Sequence, residues 1–320
     1  MMATAVAHPN IALVKYWGKR DTALNLPAVP SLSLTLDGFS TTTTVTWDAP
    51  RDTVVFNGVR ADEETTRKVA AVLDLVAPNR PPVGVVSDND FPSAAGLASS
   101  SSGFSALVVA AAAAAGRSLS IEQLSVLARR GSGSACRSLW GGFVEWTLGE
   151  RADGTDSHGV PVAPVDHWDV VMVVAIVSGK KKAVGSTSGM EASRATSPYY
   201  DAWVRTAPGR VDVGRSAVLA RDLQALGEVM EASTFEMHAL MHTTRPPIIY
   251  WQPATVACLH AVRRLRDEGI GAYATMDAGP NVKVLCLRSD AAAVARALRE
   301  HVEDVRIAKP GGGVSVRIEP

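Results

Sequence analysis

A chain of 320 residues is long for one hydrophobic core and predicts one large or two medium domains. Its 47% hydrophobic and 20% charged residues are ordinary for a soluble globular protein. Its 32 basic residues balance 32 acidic ones, so no global field recruits nucleic acid or an acidic membrane, and any anion must be held by local groups.

Met1 to Asn10 lacks a basic segment followed by an apolar one, and no apolar run reaches the roughly 18 residues of a membrane span. Cys136, Cys258 and Cys286 have no short metal spacing, and their odd number argues against a disulfide frame, which fits a reducing cytoplasm. In chain order, Ala3 to Val14 is β-prone, and Ser31 to Leu36 and Thr41 to Trp47 alternate as half-buried strands do. Asp62 to Val76 has apolar residues at helical spacing, Val83 to Val86 reads as a short strand, and a small-residue loop then enters a helix running through Ala115. Helix Ile121 to Arg130, strands Phe143 to Leu148 and Asp169 to Val177, and long helices Gly214 to Met241 and Pro253 to Glu268 follow. Strands Gly271 to Met276 and Val282 to Leu287, helix Asp290 to Val302 and strand Val314 to Ile318 close the chain. Strands in bulk followed by helices alternating with strand pairs predict an α+β protein with a boundary near residue 180.

The loop from Phe91 through Gly96 to Ser99, Ser100, Ser101 and Ser102 is suited to cradling phosphate. Small side chains let an anion approach the backbone, and a helix start offers unpaired N–H groups and the positive end of a dipole. It is not a Walker loop, because no Gly-x-x-x-x-Gly-Lys-Ser/Thr occurs in the chain. Lys15, Lys19 and Arg20 are crowded enough to repel unless they face solvent or share an anion. Gly131-Ser-Gly-Ser-Ala-Cys-Arg137 combines glycine hinges, hydroxyls and a guanidinium fork suited to oxyanions. The loop Ser178 to Met190 stacks Lys180, Lys181 and Lys182 before a hydroxyl-rich turn, either a solvated charge run or a phosphate grip. Asp277 sits at a glycine-proline turn between two strands, where a structural aspartate is common but a general base is also well placed. His238 and His242 are four apart on a helix, but no glutamate lies between them as in a zinc motif, and Trp168 and Trp251 read as core or interface.

The phosphate loop Pro92-x-x-x-Gly96-Leu-x-Ser99-Ser100-Ser101 resembles that of the GHMP kinases. Asn10-Ile-Ala-Leu-Val-Lys15-Tyr16-Trp17-Gly18-Lys19-Arg20-Asp21, the Ser132 to Arg137 string and Asp277-Ala-Gly-Pro-Asn281 resemble diphosphomevalonate decarboxylases within that superfamily. The resemblance runs in order from Asn10 to Asn281. It implies a GHMP fold with an amino-terminal β-rich domain over 1–184 carrying a left-handed βαβ unit, a ferredoxin-like second domain over 185–320, and a cleft between them. It further implies decarboxylation of 5-diphosphomevalonate with ATP and Mg²⁺, commonly by a homodimer. By that likeness Asp277, Lys15 and Arg137 are catalytic. Tyr16, Lys19, Ser132, Gly133, Ser134, Arg137 and Ser186 hold substrate, and Ala95, Gly96, Ser99, Ser100 and Lys182 contact ATP. Mg²⁺ is held mainly by the nucleotide's phosphates, with Ser100 as a candidate protein ligand. Relatives use mevalonate 5-phosphate or only phosphorylate. Those that only phosphorylate lack the Asp and Lys pair, so Asp277 with Lys15 argues against that branch.

Overall fold

The computed structural model describes residues 1–91, 99–180 and 182–319. Strand β1 (Met2–Ala7) buries Ala3, Ala5 and Ala7 on one face, whereas β2 (Asn10–Val14) is buried throughout. The β-prone run expected over Ala3 to Val14 is therefore two strands, and they lie in different sheets. A hairpin of β3 (Lys19–Asp21) and β4 (Leu26–Pro27) follows. Next come β5 (Ser31–Thr35), β6 (Thr41–Trp47), β7 (Thr53–Phe56) and β8 (Val59–Arg60). Helix α1 (Glu63–Val76) starts where the Asp62 carboxylate accepts from the Thr65 amide, and it leads to β9 (Val83–Asn89). Helix α2 (Ser99–Ala114) is buried along most of its length and packs against β1 and β6. Helix α3 (Ile121–Gly131) begins with a Ser120–Gln123 capping box, and β10 (Phe143–Trp146) and β11 (Gly159–Ala163) complete this part.

The remaining elements are β12 (Val170–Ile176), α4 (Ser186–Thr196), α5 (Tyr200–Ala220), α6 (Leu223–His242), α7 (Pro253–Asp267), β13 (Ala272–Thr275), β14 (Val282–Leu287), α8 (Ala291–Arg299), β15 (Asp304–Ala308) and β16 (Ser315–Glu319). The single helix expected from Gly214 to Met241 is broken. Arg221 takes a left-handed conformation (φ 55°) that ends α5, and the Asp222 carboxylate accepts from the Ala225 amide to start α6.

The six-stranded sheet runs β16-β1-β6-β9-β7-β8, and its parallel pair β7–β9 is joined through α1 as a βαβ unit. A second sheet runs β11-β10-β5-β2, and a third β13-β14-β12-β15, the antiparallel strand order of a ferredoxin-like fold. This pairing moves the expected boundary at 184. Strand β12 hydrogen-bonds to β14 and β15 and belongs with the second unit, while β16 returns to the first unit and pairs with β1.

The two units share a core. Ile11, Leu34 and Phe143 of the second sheet cluster with Met172 and Leu285 of the third sheet and with Val229 and Met230 of α6. Burial of that size, at about 25 cal/mol per Å² of apolar area, fixes β2 against α6. Close approach matters most at Gly227 of α6, where an added Cβ would come within 2.0 Å of the Tyr273 ring of β13. We therefore expect Gly227→Ala to destabilise the protein by about 2–3 kcal/mol in urea unfolding. Gly209→Ala, in α5 with open space around it, should leave stability unchanged or raise it by up to about 1 kcal/mol. An unaltered unfolding midpoint for Gly227→Ala would contradict this packing.

Candidate active site

Lys15, the residue after the fully buried strand β2, enters the site. The Lys15 amide donates to Ser233 Oγ of α6 at 2.9 Å, and the side chain, 1% exposed, extends to the turn after β13. There Lys15 Nζ lies 2.7 Å from Asp277 Oδ1, and Lys283 Nζ, from β14, lies 3.0 Å from Asp277 Oδ2. The turn is built to hold this carboxylate. The Gly279 amide donates back to the Asp277 carbonyl, and Asn281 Oδ1 accepts from the Val177 and Ser178 amides, tying the turn to the end of β12. The Asp277 side chain is 30% exposed while both lysines are buried, so solvent reaches the cluster through the carboxylate.

Burial works against the charged form of Asp277, but the ammonium groups of Lys15 and Lys283 outweigh it and hold the carboxyl well below the usual carboxylate range. Burial, opposed by Asp277 and reinforced by Lys283, pulls Lys15 down to about 8. A carboxylate that stays ionised thus sits beside an ammonium whose pKa is pulled down to about 8.

Arg137 ends the short 3₁₀ turn Gly133–Arg137 and is 2% exposed. Its Nε and Nη2 donate to Asn10 Oδ1 at 3.1 and 3.0 Å, and Nη1 donates to Ser31 Oγ. The Asn10 amide nitrogen in turn donates to the Ser134 carbonyl and to Ser138 Oγ. The guanidinium is therefore aimed by neutral groups and keeps its charge uncompensated by them. Tyr16 packs 4.6 Å from the Trp146 ring, its hydroxyl buried without a partner among the described residues, and a Cβ at Gly133 would press to 2.7 Å from Trp146. Ser132 Oγ lies 3.2 Å from Ser100 Oγ at the start of α2, joining the oxyanion string to the phosphate loop. A cavity of about 330 Å³ opens beside Ser99 and Ser100, lined also by Phe56, Lys68, Ser87 and Phe104.

Lys182 Nζ donates to Ser186 Oγ at 2.6 Å and to the carbonyl of Ala278, next to Asp277, at 3.2 Å. The structure thus gathers Lys15, Asp277, Arg137, Lys182 and Ser186 around one turn. Lys19 stands on the β3–β4 hairpin, where burial and the charge of Lys68 both lower its pKa. Ala95, Gly96 and Lys181 lie outside the described residues. His238 is buried with both ring nitrogens lacking a well-formed hydrogen bond among the described residues, its ring tilted at 44° and 5.3 Å from that of Trp251, and burial pushes its pKa down to about 3. Among the described residues no group of three or more His, Cys, Asp or Glu is arranged to hold a metal ion.

Lys283, Asn10 and Ser31 were not singled out by the sequence reading. The available signal for Lys283 was one charge in an otherwise apolar strand, Val282–Leu287, that is buried along most of its length. Asn10 heads the quoted Asn10 to Asp21 string without a role being assigned to it, and Ser31 offered no signal, since a polar residue at the head of a strand is commonplace.

Residues 7–159 match the diphosphomevalonate decarboxylase-like N-terminal domain, and residues 172–310 the mevalonate 5-diphosphate decarboxylase C-terminal domain. The chain is 39% identical to diphosphomevalonate decarboxylase mvd1 of Aspergillus fumigatus, across 93% of this chain and 80% of that one. It is 38% identical to the diphosphomevalonate decarboxylase of Rattus norvegicus, with the same coverage of each. Among solved structures, MDDEF in complex with MVAPP, AMPPCP and magnesium superposes with a TM-score of 0.92 at 40% identity, covering 99% of both chains. Mevalonate diphosphate decarboxylase from Staphylococcus aureus superposes at 0.93 with 35% identity, over 99% of this chain and 98% of that one. Because Asn10 Oδ1 receives two Arg137 donors in a buried setting, Asn10→Ala is expected to destabilise the protein by about 2–4 kcal/mol in denaturant unfolding. A loss under about 0.5 kcal/mol would mean that Arg137 is positioned by other groups.

Proposed function

We infer the reaction from one premise: the chain belongs to the diphosphomevalonate decarboxylase family. It converts ATP and (R)-5-diphosphomevalonate to isopentenyl diphosphate, ADP, phosphate and carbon dioxide, in the mevalonate route to isoprenoids. The observation that carries this reading onto the present residues is the Asp277 carboxylate clamped between ammonium groups at a solvent-reached turn.

In the mechanism proposed here, Asp277 orients the tertiary 3-hydroxyl and accepts its proton as that oxygen bonds to the γ-phosphorus and the bond to ADP breaks. The phosphorylated oxygen then leaves as phosphate. The electron pair of the bond to the carboxylate carbon becomes the alkene, carbon dioxide departs, and the phosphate takes up the proton. Lys15 stabilises the departing phosphate and Arg137 holds the carboxylate in position. Tyr16, Lys19, Ser132, Gly133, Ser134 and Ser186 hold the substrate, chiefly at its 5-diphosphate. Ser99, Ser100 and Lys182 are assigned to the nucleotide phosphates, together with Ala95 and Gly96, which lie outside the described residues. Mg²⁺ bound with the nucleotide would neutralise phosphate charge, and the Ser100 hydroxyl is the candidate protein ligand for it. Three buried free thiols favour a cytoplasmic protein, and the family likeness favours a homodimer, for which sedimentation should give twice the chain mass.

Incubation with Mg-ATP and 5-diphosphomevalonate should yield ADP and carbon dioxide in equal amounts. ADP without carbon dioxide would make the protein a kinase. Asp277→Ala is expected to lower kcat by about 10³-fold or more while sparing nucleotide binding, and near-normal turnover would remove Asp277 from its role. Lys15 acts as an ammonium whose pKa is lowered to about 8, so kcat/KM of the unliganded enzyme should fall on the alkaline side with a midpoint near pH 8.

A further inference from the structure

Two ammonium groups on one carboxylate are one more than an ion pair needs. Lys283 is 2% exposed and Lys15 1% exposed, and each occupies a different oxygen of Asp277. Burying a second lysine there leaves net positive charge in a poorly hydrated site, an arrangement that costs stability unless an anion completes it. The reaction inferred above also places conflicting demands on Lys15. As partner of Asp277 it keeps the base ionised, yet it must turn toward the departing phosphate.

We propose that Lys283 is the positioning residue that resolves this conflict: it holds Asp277 Oδ2, keeping the carboxylate aimed while Lys15 leaves Oδ1 for the phosphate. The proposal rests on the decarboxylase reading. The backbone supports the division of labour. Lys283 lies within β14, hydrogen-bonded on one side to β13 opposite Thr275 and on the other to β12 opposite Val174, so its stem is fixed by neighbouring strands. Lys15 lies one residue past the end of β2, outside the sheet ladder, where its backbone is held by the Ser233 hydroxyl rather than by strands on both sides.

The charged and titratable groups around this cluster come from several elements. Asp277 follows β13, Lys15 follows β2, Lys182 belongs to the loop before α4, Arg137 ends the turn after α3, and His238 belongs to α6. Lys283 lowers the pKa of both Asp277 and Lys15. Removing its charge therefore raises both, and the signs are the same on each limb of a pH profile.

The test compares wild type, Lys283→Met and Lys283→Arg. Lys283→Met should lose roughly 10- to 100-fold in kcat with KM for ATP and for 5-diphosphomevalonate changed by less than about threefold. The whole pH–rate profile should shift to higher pH, and Lys283→Arg should recover most of the rate and the original profile. A Lys283→Met profile that stays in place, or equal losses in Met and Arg variants, would reduce Lys283 to a structural residue and overturn the proposal. A readout independent of turnover is the ¹³C carboxyl titration of Asp277 in unliganded protein, assigned with Asp277→Asn. An upward shift in Lys283→Met supports the proposal and no shift overturns it. If wild type releases no carbon dioxide, the decarboxylase reading fails, and the carboxyl titration still decides whether Lys283 governs Asp277.

Discussion

The structure turns on a carboxylate that shares its two oxygens between two buried ammonium groups. Coulomb attraction in a partly desolvated pocket makes each contact strong, and the sum over the cluster is still positive. Arg137 adds to the surplus, because Asn10 and Ser31 orient its guanidinium without neutralising it. A chain with no net charge thus concentrates cations at one turn. Such a site is electrostatically incomplete until a polyanion enters, and the energy stored in that imbalance becomes available for binding and for charge that develops during reaction.

Holding these groups together requires the two units to behave as one body. The shared core fixes β2 against α6, and the Lys15 amide is tied to Ser233 within that contact. The chain's return to the first unit adds a second tie. The Asp37 amide donates to the Lys309 carbonyl, the Gly311 amide to Thr35, and the Gly142 amide to Gly311. A Cβ at Gly141 or at Gly311 would meet backbone at 2.7 or 2.6 Å, so this crossing admits no side chain at either position. It runs just beyond the Arg137 turn, which places the end of the chain in support of the oxyanion string. Strand β16 then closes the edge of the six-stranded sheet beside β1.

How much of this was legible in the sequence depended on whether the signal was local. Strands β5 and β6, helices α1, α3 and α7 and the β13–turn–β14 pair follow from periodicity and turn chemistry, and they appear near their expected positions. The break between α5 and α6 was invisible because it rests on an arginine in a left-handed conformation, a state rarely taken by that residue. Strand β12 was assigned to the wrong unit because an apolar run states that it is buried, not against what. At the site, Lys15 and Asp277 were found through the motifs that carry them. Lys283 went unremarked because a lysine in a strand ordinarily points to solvent, and only the sheet register brings it beneath the carboxylate.

The strongly acidic character of Asp277 bears on how it can act. A carboxylate held far below its usual range is a weak base, poorly suited to removing a proton from a tertiary alcohol before phosphoryl transfer begins. In a loose transition state, however, the bond to the attacking oxygen forms late, and the hydroxyl becomes acidic only as phosphorus approaches it. Orientation then matters more than basicity, and a fixed, ionised acceptor suits the task better than a strong but mobile one. In the proposed mechanism the proton so acquired has a second use. The phosphate that leaves in the decarboxylation step carries an extra negative charge until it is protonated, so the proton gained in the first step is the one required in the second. An acid weakened in its hold on that proton by two neighbouring ammonium groups returns it readily, which makes the low affinity of Asp277 for protons an advantage across the pair of steps.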